Sequence, residues 1–173
     1  MVDDLADPVI RRATVDDAEP IARVHVASVR HAYAGLVDDA YLAGLDVEAR
    51  AAWWRDLLDS PGAGTTVWVA EDESGAVGFL SLGPSGDEDA DRRTMQIHTL
   101  YLEPSAWGRG IARELMRTAL ADVPEGAPVT LWVPDANERA RHFYRRNGFT
   151  ADGVERVEDV DGEPLREVRY RRD

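Results

Sequence analysis

The spacing of hydrophobic and polar residues predicts one strand followed by two helices in the first third of the chain. Residues 9–13 predict a short strand. Thr14 followed by Asp17 is typical of a capping box, and it precedes a helical pattern that runs to about residue 34. Residues 36–58 predict a second helical stretch, which is broken at Gly44.

The remaining two thirds alternate between short apolar runs and amphipathic helices. Apolar runs bounded by turn residues predict six further strands, at 65–69, 76–82, 95–102, 129–133, 154–160 and 165–171. Helices are predicted from residue 111 to just before Pro124 and over residues 137–147, turns at 61–64, 73–75 and 161–162, and a polar acidic loop at 83–93. The order β-α-α-β-β-β-α-β-α-β-β indicates an α/β (α+β) fold with a mixed central sheet flanked by helices.

Length and composition narrow the class of protein. A chain of 173 residues, 44% of them hydrophobic, predicts one domain over residues 1–173, with its core at about 9–171. It has no apolar run of about 20 residues to span a membrane, and its acidic first five residues lack a signal-peptide pattern. The chain also contains no cysteine, which excludes disulfides, a thiolate nucleophile and cysteine metal sites. These features predict a cytoplasmic protein that does not associate with membranes.

The charge of the chain bears on its partners. A formal net charge of −13 argues against nucleic acid as a partner and favours cationic small molecules. All the basic residues are arginine, which fits either a GC-rich coding sequence or adaptation to high salt. Because His25, His31 and His142 lie on predicted helices without metal-ligand spacing, we predict surface or packing roles for them and no metal site.

A glycine-bearing turn between a strand and a helix predicts a phosphate site. Gly108 and Gly110 follow the strand at 95–102, and the helix begins at Ile111. The first N–H groups of a helix have no intrahelical partner, and glycines let a pyrophosphate approach them closely. Arg109 and Arg113 are expected to add mobile positive charge there. The chain has no lysine, which excludes a Walker loop.

A second segment, taken together with the glycine turn, resembles the conserved motifs of a known family. Residues 137–149 read Asn-Glu-Arg-Ala-Arg-His-Phe-Tyr-Arg-Arg-Asn-Gly-Phe. With the glycine turn, this segment resembles the GNAT superfamily of acetyl-CoA-dependent N-acetyltransferases, whose segment Asn-x-x-Ala-x-x-Phe-Tyr-x-x-x-Gly-Phe is matched at every fixed position. The family's turn, Gln/Arg-x-x-Gly-x-Gly/Ala, is matched at Gly110 and Ala112, whereas Trp107 replaces its first polar residue.

The resemblance implies a GNAT fold with splayed central strands and acetyl-CoA as cosubstrate. Pantetheine would lie between strands 96–102 and 129–133, and a backbone N–H near Leu100, Tyr101 or Leu102 would polarise the thioester carbonyl. Asn137 would hydrogen-bond the pantetheine arm as well as cap a helix, and Tyr144 would contact the cofactor and protonate the leaving thiolate. The diphosphate would be bound by the turn and helix start, which comprise Trp107, Gly108, Arg109, Gly110, Ile111, Ala112 and Arg113.

The base that accepts the amine proton is less well marked. Strict alternation places Gln96, His98 and Leu100 on one face of their strand. Gln96 stands where many family members have a glutamate, and glutamine cannot accept the proton. His98 is therefore the candidate base, since an unperturbed histidine has a pKa of about 6.5. Two alternatives are a packing or substrate-aligning role for His98 and loss of the proton to water without a dedicated base.

The predicted function is transfer of an acetyl group to a primary amine by direct attack in a ternary complex. The alternatives are a non-catalytic acyl-CoA-binding module, suggested by Trp107 and Gln96, and an acyltransferase that uses another acyl-CoA. The acceptor would be a small-molecule or peptide amine, chosen by the segment 31–58. Within that segment, Tyr33, Trp53 and Trp54 are either core residues or part of the acceptor wall. The C-terminal hairpin offers a sheet edge for a possible homodimer.

Overall fold

The computed structural model describes residues 6–60 and 64–173, so the acidic N-terminus and most of the predicted 61–64 turn lie outside the described residues. The described residues form seven strands: β1 Val9–Arg12, β2 Thr66–Asp72, β3 Gly75–Pro84, β4 Met95–Leu102, β5 Val129–Pro134, β6 Thr150–Val160 and β7 Glu163–Arg172. The α-helices are α1 Ala18–Ala32, α2 Asp39–Ala43, α3 Val47–Leu58, α4 Ile111–Ala121 and α5 Glu138–Arg146. Short 3-10 turns occupy Val15–Asp17 and Pro104–Ala106. No helix in the described ranges is long and apolar enough to cross a bilayer.

The strands form one mixed sheet, as predicted, in the order β1-β2-β3-β4-β5-β7-β6. The β4–β5 pair is parallel and every other neighbouring pair is antiparallel. β4 pairs with β5 only from Met95↔Val129 to Ile97↔Leu131, after which the two strands separate. The expected splay of the central strands is thus present, and it leaves a gap in the middle of the sheet.

Hydrophobic clusters cover both faces of this sheet. Along β2, Trp68 and Ala70 belong to a cluster that contains α4, whereas Val67 and Val69 belong to a cluster with α1 and α3. Alternate residues of a strand point to opposite faces, so the two clusters lie on opposite sides. Several of their side chains are fully buried, including Trp54, Phe79 and Leu115.

A β-bulge in β4 makes the predicted shared face of Gln96, His98 and Leu100 wrong. The β3 register passes from Ser81↔Thr99 to Leu82↔Ile97, so His98 is the extra residue. Met95 and Ile97 pack in the same cluster as Leu100 and Leu102. The step from Ile97 to Leu100 is three residues, an odd number, whereas regular alternation places residues an even number apart on one face. Strict alternation holds only while the hydrogen-bonded pairing of two strands is uninterrupted. One unpaired residue moves every later residue of the strand to the opposite face.

The C-terminal hairpin forms where it is predicted, around Asp161 and Gly162, both of which have positive φ. On β7, Arg169 is 6% exposed and forms ion pairs with Asp87, Asp89 and Asp152 at 3.2, 2.6 and 2.7 Å. These pairs connect the acidic loop before β4 to β6 and β7. The network accounts for the burial of an otherwise costly cation.

Candidate active site

A cavity of about 830 Å³ lies at the splay between β4 and β5 and reaches the start of α4. Its wall combines the ends of both strands with the glycine turn, the first turn of α4, and α5. The following residues, all assigned to the site from the sequence, line it: His98, Leu100, Tyr101, Leu102, Trp107, Gly108, Gly110, Ile111, Ala112, Arg113, Asn137 and Tyr144. Two other candidates, Gln96 and Arg109, are not among its lining residues.

The glycine turn presents free backbone to this cavity. Gly108 and Gly110 both have φ of +77°, a conformation that strains other residues, and a Cβ built at either would meet nothing within 4 Å. Gly110 precedes α4, and the first helical hydrogen bond runs from the Glu114 N–H to the Gly110 carbonyl at 3.1 Å. The N–H groups of Ile111, Ala112 and Arg113 are therefore available to an anion at the positive end of the helix dipole.

Arg109 does not supply the mobile charge expected of it. Its Nη1 pairs with Asp72 Oδ2 on β2 at 3.0 Å, and the two side chains are 23% and 10% exposed. The ion pair directs the Arg109 side chain toward β2. Arg113, by contrast, lines the cavity, is exposed and has no ion-pair partner in the described part of the chain.

Trp107 closes one side of the same cavity. His31 meets its ring edge-on with centroids 4.6 Å apart, and the Arg139 guanidinium lies 3.6 Å from the ring centroid. His31, Arg139 and His142 also line the cavity. The departure from the family's polar residue thus places an aromatic ring, in contact with residues of α1 and α5, beside the glycine turn.

The backbone of β4 faces the gap at two of the three predicted carbonyl-polarising positions. The Glu103 N–H donates to the Val77 carbonyl of β3 at 2.8 Å. In an antiparallel pair, every second residue directs its N–H and C=O to the same neighbour, so Tyr101 faces β3 while Leu100 and Leu102 face the gap. The Leu102 carbonyl accordingly accepts the Ser28 hydroxyl at 2.7 Å.

Asn137 caps α5, as its position predicts. Its Oδ1 accepts the Ala140 N–H at 3.1 Å. Its Nδ2 has no partner within residues 6–60 and 64–173, and the residue lines the cavity. A capping role and a contact with a ligand are therefore compatible.

Tyr144 projects from α5 into the cavity wall, with Phe149 and Tyr170 beside its ring. Its hydroxyl has no hydrogen-bond partner among the described residues. Burial, assisted by Tyr101, raises the pKa of Tyr144 above its usual value, so the phenol is protonated at neutral pH. A half-buried phenol without a protein partner can donate its proton to a bound molecule.

Gln96, at the position of the family's glutamate, and His98, the candidate base, lie in different surroundings. Gln96 accepts a hydrogen bond from the Ser85 hydroxyl at 3.2 Å and is not among the lining residues of the cavity. His98 occupies the bulge, and desolvation lowers its pKa below 6.5, opposed by the Pro84 carbonyl and Asp87. His98 is therefore neutral at pH 7 and can accept a proton.

A second cavity, of about 230 Å³, adjoins the first at Tyr33 and Tyr101, which line both. The sequence did not single out most of its polar lining. One signal in the sequence could have indicated it. Glu167 is a charged residue on the same face of β7 as the buried Leu165, so it points inward. The polar lining residues not predicted from the sequence are Tyr41, Arg50, Glu158 and Glu167.

The remaining aromatic and histidine candidates divide between core and cavity. Trp54 is fully buried and donates from Nε1 to His25 Nδ1 at 3.2 Å, whereas Trp53 is 50% exposed. Neither tryptophan lines either of these two cavities, but Tyr33 lines both. His25 packs against Tyr101 and lines the second cavity, and burial, with Arg50 nearby, lowers its pKa to about 4.

Comparison with known proteins decides the family. The sequence model of the Acetyltransferase (GNAT) family matches residues 30–149, about two thirds of the chain. The chain belongs to this family. An uncharacterized N-acetyltransferase of Archaeoglobus fulgidus is 38% identical over 138 residues, covering 78% of this chain and 88% of that protein. The peptidyl-lysine N-acetyltransferase YjaB of Escherichia coli is 31% identical over 156 residues, 90% of each chain.

The fold of this GNAT protein is also that of solved structures. The PaiA N-acetyltransferase of Thermoplasma acidophilum, crystallised with coenzyme A, superposes with a TM-score of 0.72 at 22% identity, covering 97% of this chain and 99% of the other. No group of three or more histidine, cysteine, aspartate or glutamate side chains with metal-binding geometry occurs in residues 6–60 and 64–173.

Proposed function

We propose that this GNAT protein transfers an acetyl group from acetyl-CoA to a primary amine by direct attack in a ternary complex. The observation that carries the proposal is the pair of adjoining cavities. The larger has a free helix N-terminus at one end and Tyr144 in its wall, and the smaller joins it at Tyr33 and Tyr101. Two substrates can therefore occupy separate spaces and meet at one place.

Features of the larger cavity fit acetyl-CoA. The open space at Gly108 and Gly110, with the free N–H groups of α4, suits a diphosphate. The gap between β4 and β5 admits a pantetheine arm, which Asn137 Nδ2 can hydrogen-bond. The solved relative with coenzyme A has the same fold. Once bound, the cosubstrate supplies an activated acetyl group.

Two proton movements accompany the transfer. The amine nitrogen bonds to the acetyl carbonyl carbon, the carbon–sulfur bond breaks, the amine loses a proton and the thiolate gains one. The Leu100 N–H, directed into the gap, is the proposed donor to the carbonyl oxygen. Tyr144 is the proposed acid, because it lines the larger cavity and its hydroxyl has no hydrogen-bond partner among the described residues.

The proton of the amine can leave either through His98 or directly to water. Gln96 cannot accept it and lies outside both cavities. His98 is neutral but lines only the larger cavity, so it can act directly only on an amine that enters that space. We propose that an acceptor bound in the smaller cavity loses its proton to water, and that His98 lines the cleft.

The experiment is thiol release from acetyl-CoA in the presence of a panel of small amines and lysine peptides, with mass spectrometry of the acceptor. Amine-dependent thiol release with an acetylated product supports the proposal. Tight coenzyme A binding without turnover by any amine contradicts it and favours the acyl-CoA-binding module. Faster turnover with succinyl-CoA favours the other acyl donor. The E. coli relative, named for peptidyl-lysine, justifies including peptides.

A further inference from the structure

The second cavity has the size of a small-molecule site and a distinct chemical character. Its volume of about 230 Å³ is below the roughly 300–1,000 Å³ of pockets for drug-sized ligands. It lies among α1, α3, β4 and the β6–β7 hairpin. The charged side chains that line it are Arg50 on one element and Glu158 and Glu167 on two others.

Arg50 is a cation without a partner in the part of the chain that the structure describes. It is half-buried, and its guanidinium forms no ion pair or hydrogen bond with any residue of the described ranges. The nearby His25 is neutral, since its pKa is lowered to about 4. A half-buried guanidinium is costly unless paired, and a carboxylate can satisfy it through two parallel hydrogen bonds.

The two glutamates share one cation. Arg156 Nε lies 2.9 Å from Glu167 Oε1 and 3.1 Å from Glu158 Oε1. Glu167 has a side chain only 9% exposed, and its Oε2 has no hydrogen-bond partner in the described part of the chain. Two carboxylates with one arginine leave one negative charge, which balances the single positive charge of Arg50.

Glu167 and Arg50 lie at different positions relative to the larger cavity. Glu167 pairs in register with Pro134 at the end of β5, and Pro134 lines the larger cavity. No residue of α3, which carries Arg50, lines the larger cavity. An acceptor amine held near Glu167 is therefore nearer to the lining of the larger cavity than a group held at Arg50.

Building on the proposed acetyl transfer, we propose that the acceptor is a small zwitterion, an amine that also carries a carboxylate. Its ammonium group lies against Glu167, on the β7 side of the smaller cavity, and Arg50 binds its carboxylate. Amino acids are the substrate class with this pattern. A polyamine would place a second cation against Arg50, and the side chain of a peptide lysine offers no carboxylate.

The test compares matched acceptors. Alanine, methionine, phenylalanine, histidine, glutamate, β-alanine and 4-aminobutyrate are assayed against their primary amides, with putrescine and a lysine peptide alongside. We expect kcat/KM for at least one free acid to exceed that of its amide by at least tenfold. Amides, putrescine or the peptide reacting as well as every free acid would overturn the proposal.

Arg50 variants localise the effect. Arg50→Met should raise KM for the preferred free acid at least tenfold, with kcat little changed and the amide unaffected, and Arg50→Lys should retain part of the preference. Arg55→Met is the matched control, because Arg55 is an exposed arginine of α3 that lines neither cavity. An equal effect of Arg50→Met on acid and amide would overturn the assignment.

A binding measurement separates this inference from the proposed function. If no amine releases thiol, acetyl transfer fails, but calorimetry of the same acids and amides on the coenzyme A-loaded protein still decides the acceptor class. At least tenfold tighter binding of a free acid than of its amide, lost in Arg50→Met, supports the inference. Equal binding of acid and amide, or no binding of either, overturns it.

Discussion

The two cavities are built in different ways, although they meet at the same pair of tyrosines. The larger one is lined by α1, β4, β5 and α5 together with the glycine turn and the start of α4, and its proposed diphosphate end is the backbone of that one contiguous turn and helix start. The smaller one is formed by side chains from α1, α2, α3, β4, β6 and β7, from His25 to Glu167. A diphosphate site needs a particular local conformation, whereas an acceptor site needs particular side chains from distant parts of the chain.

The largest expected effect tests the proposed proton donor in the wall of the larger cavity. Tyr144→Phe keeps the ring but removes the proposed proton donor, so kcat should fall about 10²-fold or more, within the 10²–10⁴ range typical of general acids. Coenzyme A affinity, measured by calorimetry, should change little. Tyr41→Phe is the comparison variant, since it removes a hydroxyl from the proposed acceptor space alone and leaves the proposed proton donor in place. A Tyr144→Phe protein with native kcat would exclude the acid role.

The next effect isolates the larger cavity. In Gly110→Leu, a side chain projects into the open space that we assign to the diphosphate, and coenzyme A affinity should fall at least tenfold, about 1.4 kcal/mol. Gly75→Leu is a matched control, because Gly75 also has positive φ and open space but lies in the β2–β3 turn. Equal coenzyme A affinity in the two folded variants would refute the diphosphate assignment.

A pH effect on stability tests the smaller cavity. The pKa of His25 is lowered from 6.5 to about 4 by burial, so between these values the unfolded state binds more protons than the folded state. Stability should therefore decrease as the pH falls from about 6.5 to 4, by at most about 1.4 kcal/mol per pH unit for this one group.

Urea unfolding at pH 7, 5.5 and 4.5 measures this dependence. His25→Gln keeps an acceptor for the Trp54 Nε1 and should give a shallower slope than the native protein. The pKa of His98 is also lowered, so His98→Gln measures the contribution of that histidine to the slope separately. An unchanged slope in His25→Gln would show that His25 is not held neutral by burial.

The smallest expected effect concerns the bulge in β4. Because the pKa of His98 is lowered below 6.5, a limb of kcat/KM that depends on His98 as a base must lie below pH 6.5. With loss of the amine proton to water, His98→Gln should change kcat/KM less than threefold at pH 8, and the profile should follow the pKa of the acceptor. A limb below pH 6.5 that disappears in His98→Gln would instead identify His98 as the base.

The secondary structure was largely predictable because its signals are local. Hydrophobic periodicity located the strands and helices, and Asp161-Gly162 marked the hairpin turn. Asn137 was predicted to cap α5 because capping depends on residues within one helical turn. The register of β4 was not predictable in this way, since a bulge at His98 arises from pairing with β3.

The sequence by itself determined the family and the parts of the site that depend on local backbone. Glycines at 108 and 110, both with positive φ, and a following helix are enough to leave the first N–H groups of that helix free. Only the tertiary structure decided which charges are available to a ligand. It paired Arg109 with Asp72, far away in the chain, and brought Arg50 and Glu167 to one cavity. The physical reason is that ion pairing and burial depend on distance in space, which the spacing of residues along a chain does not specify.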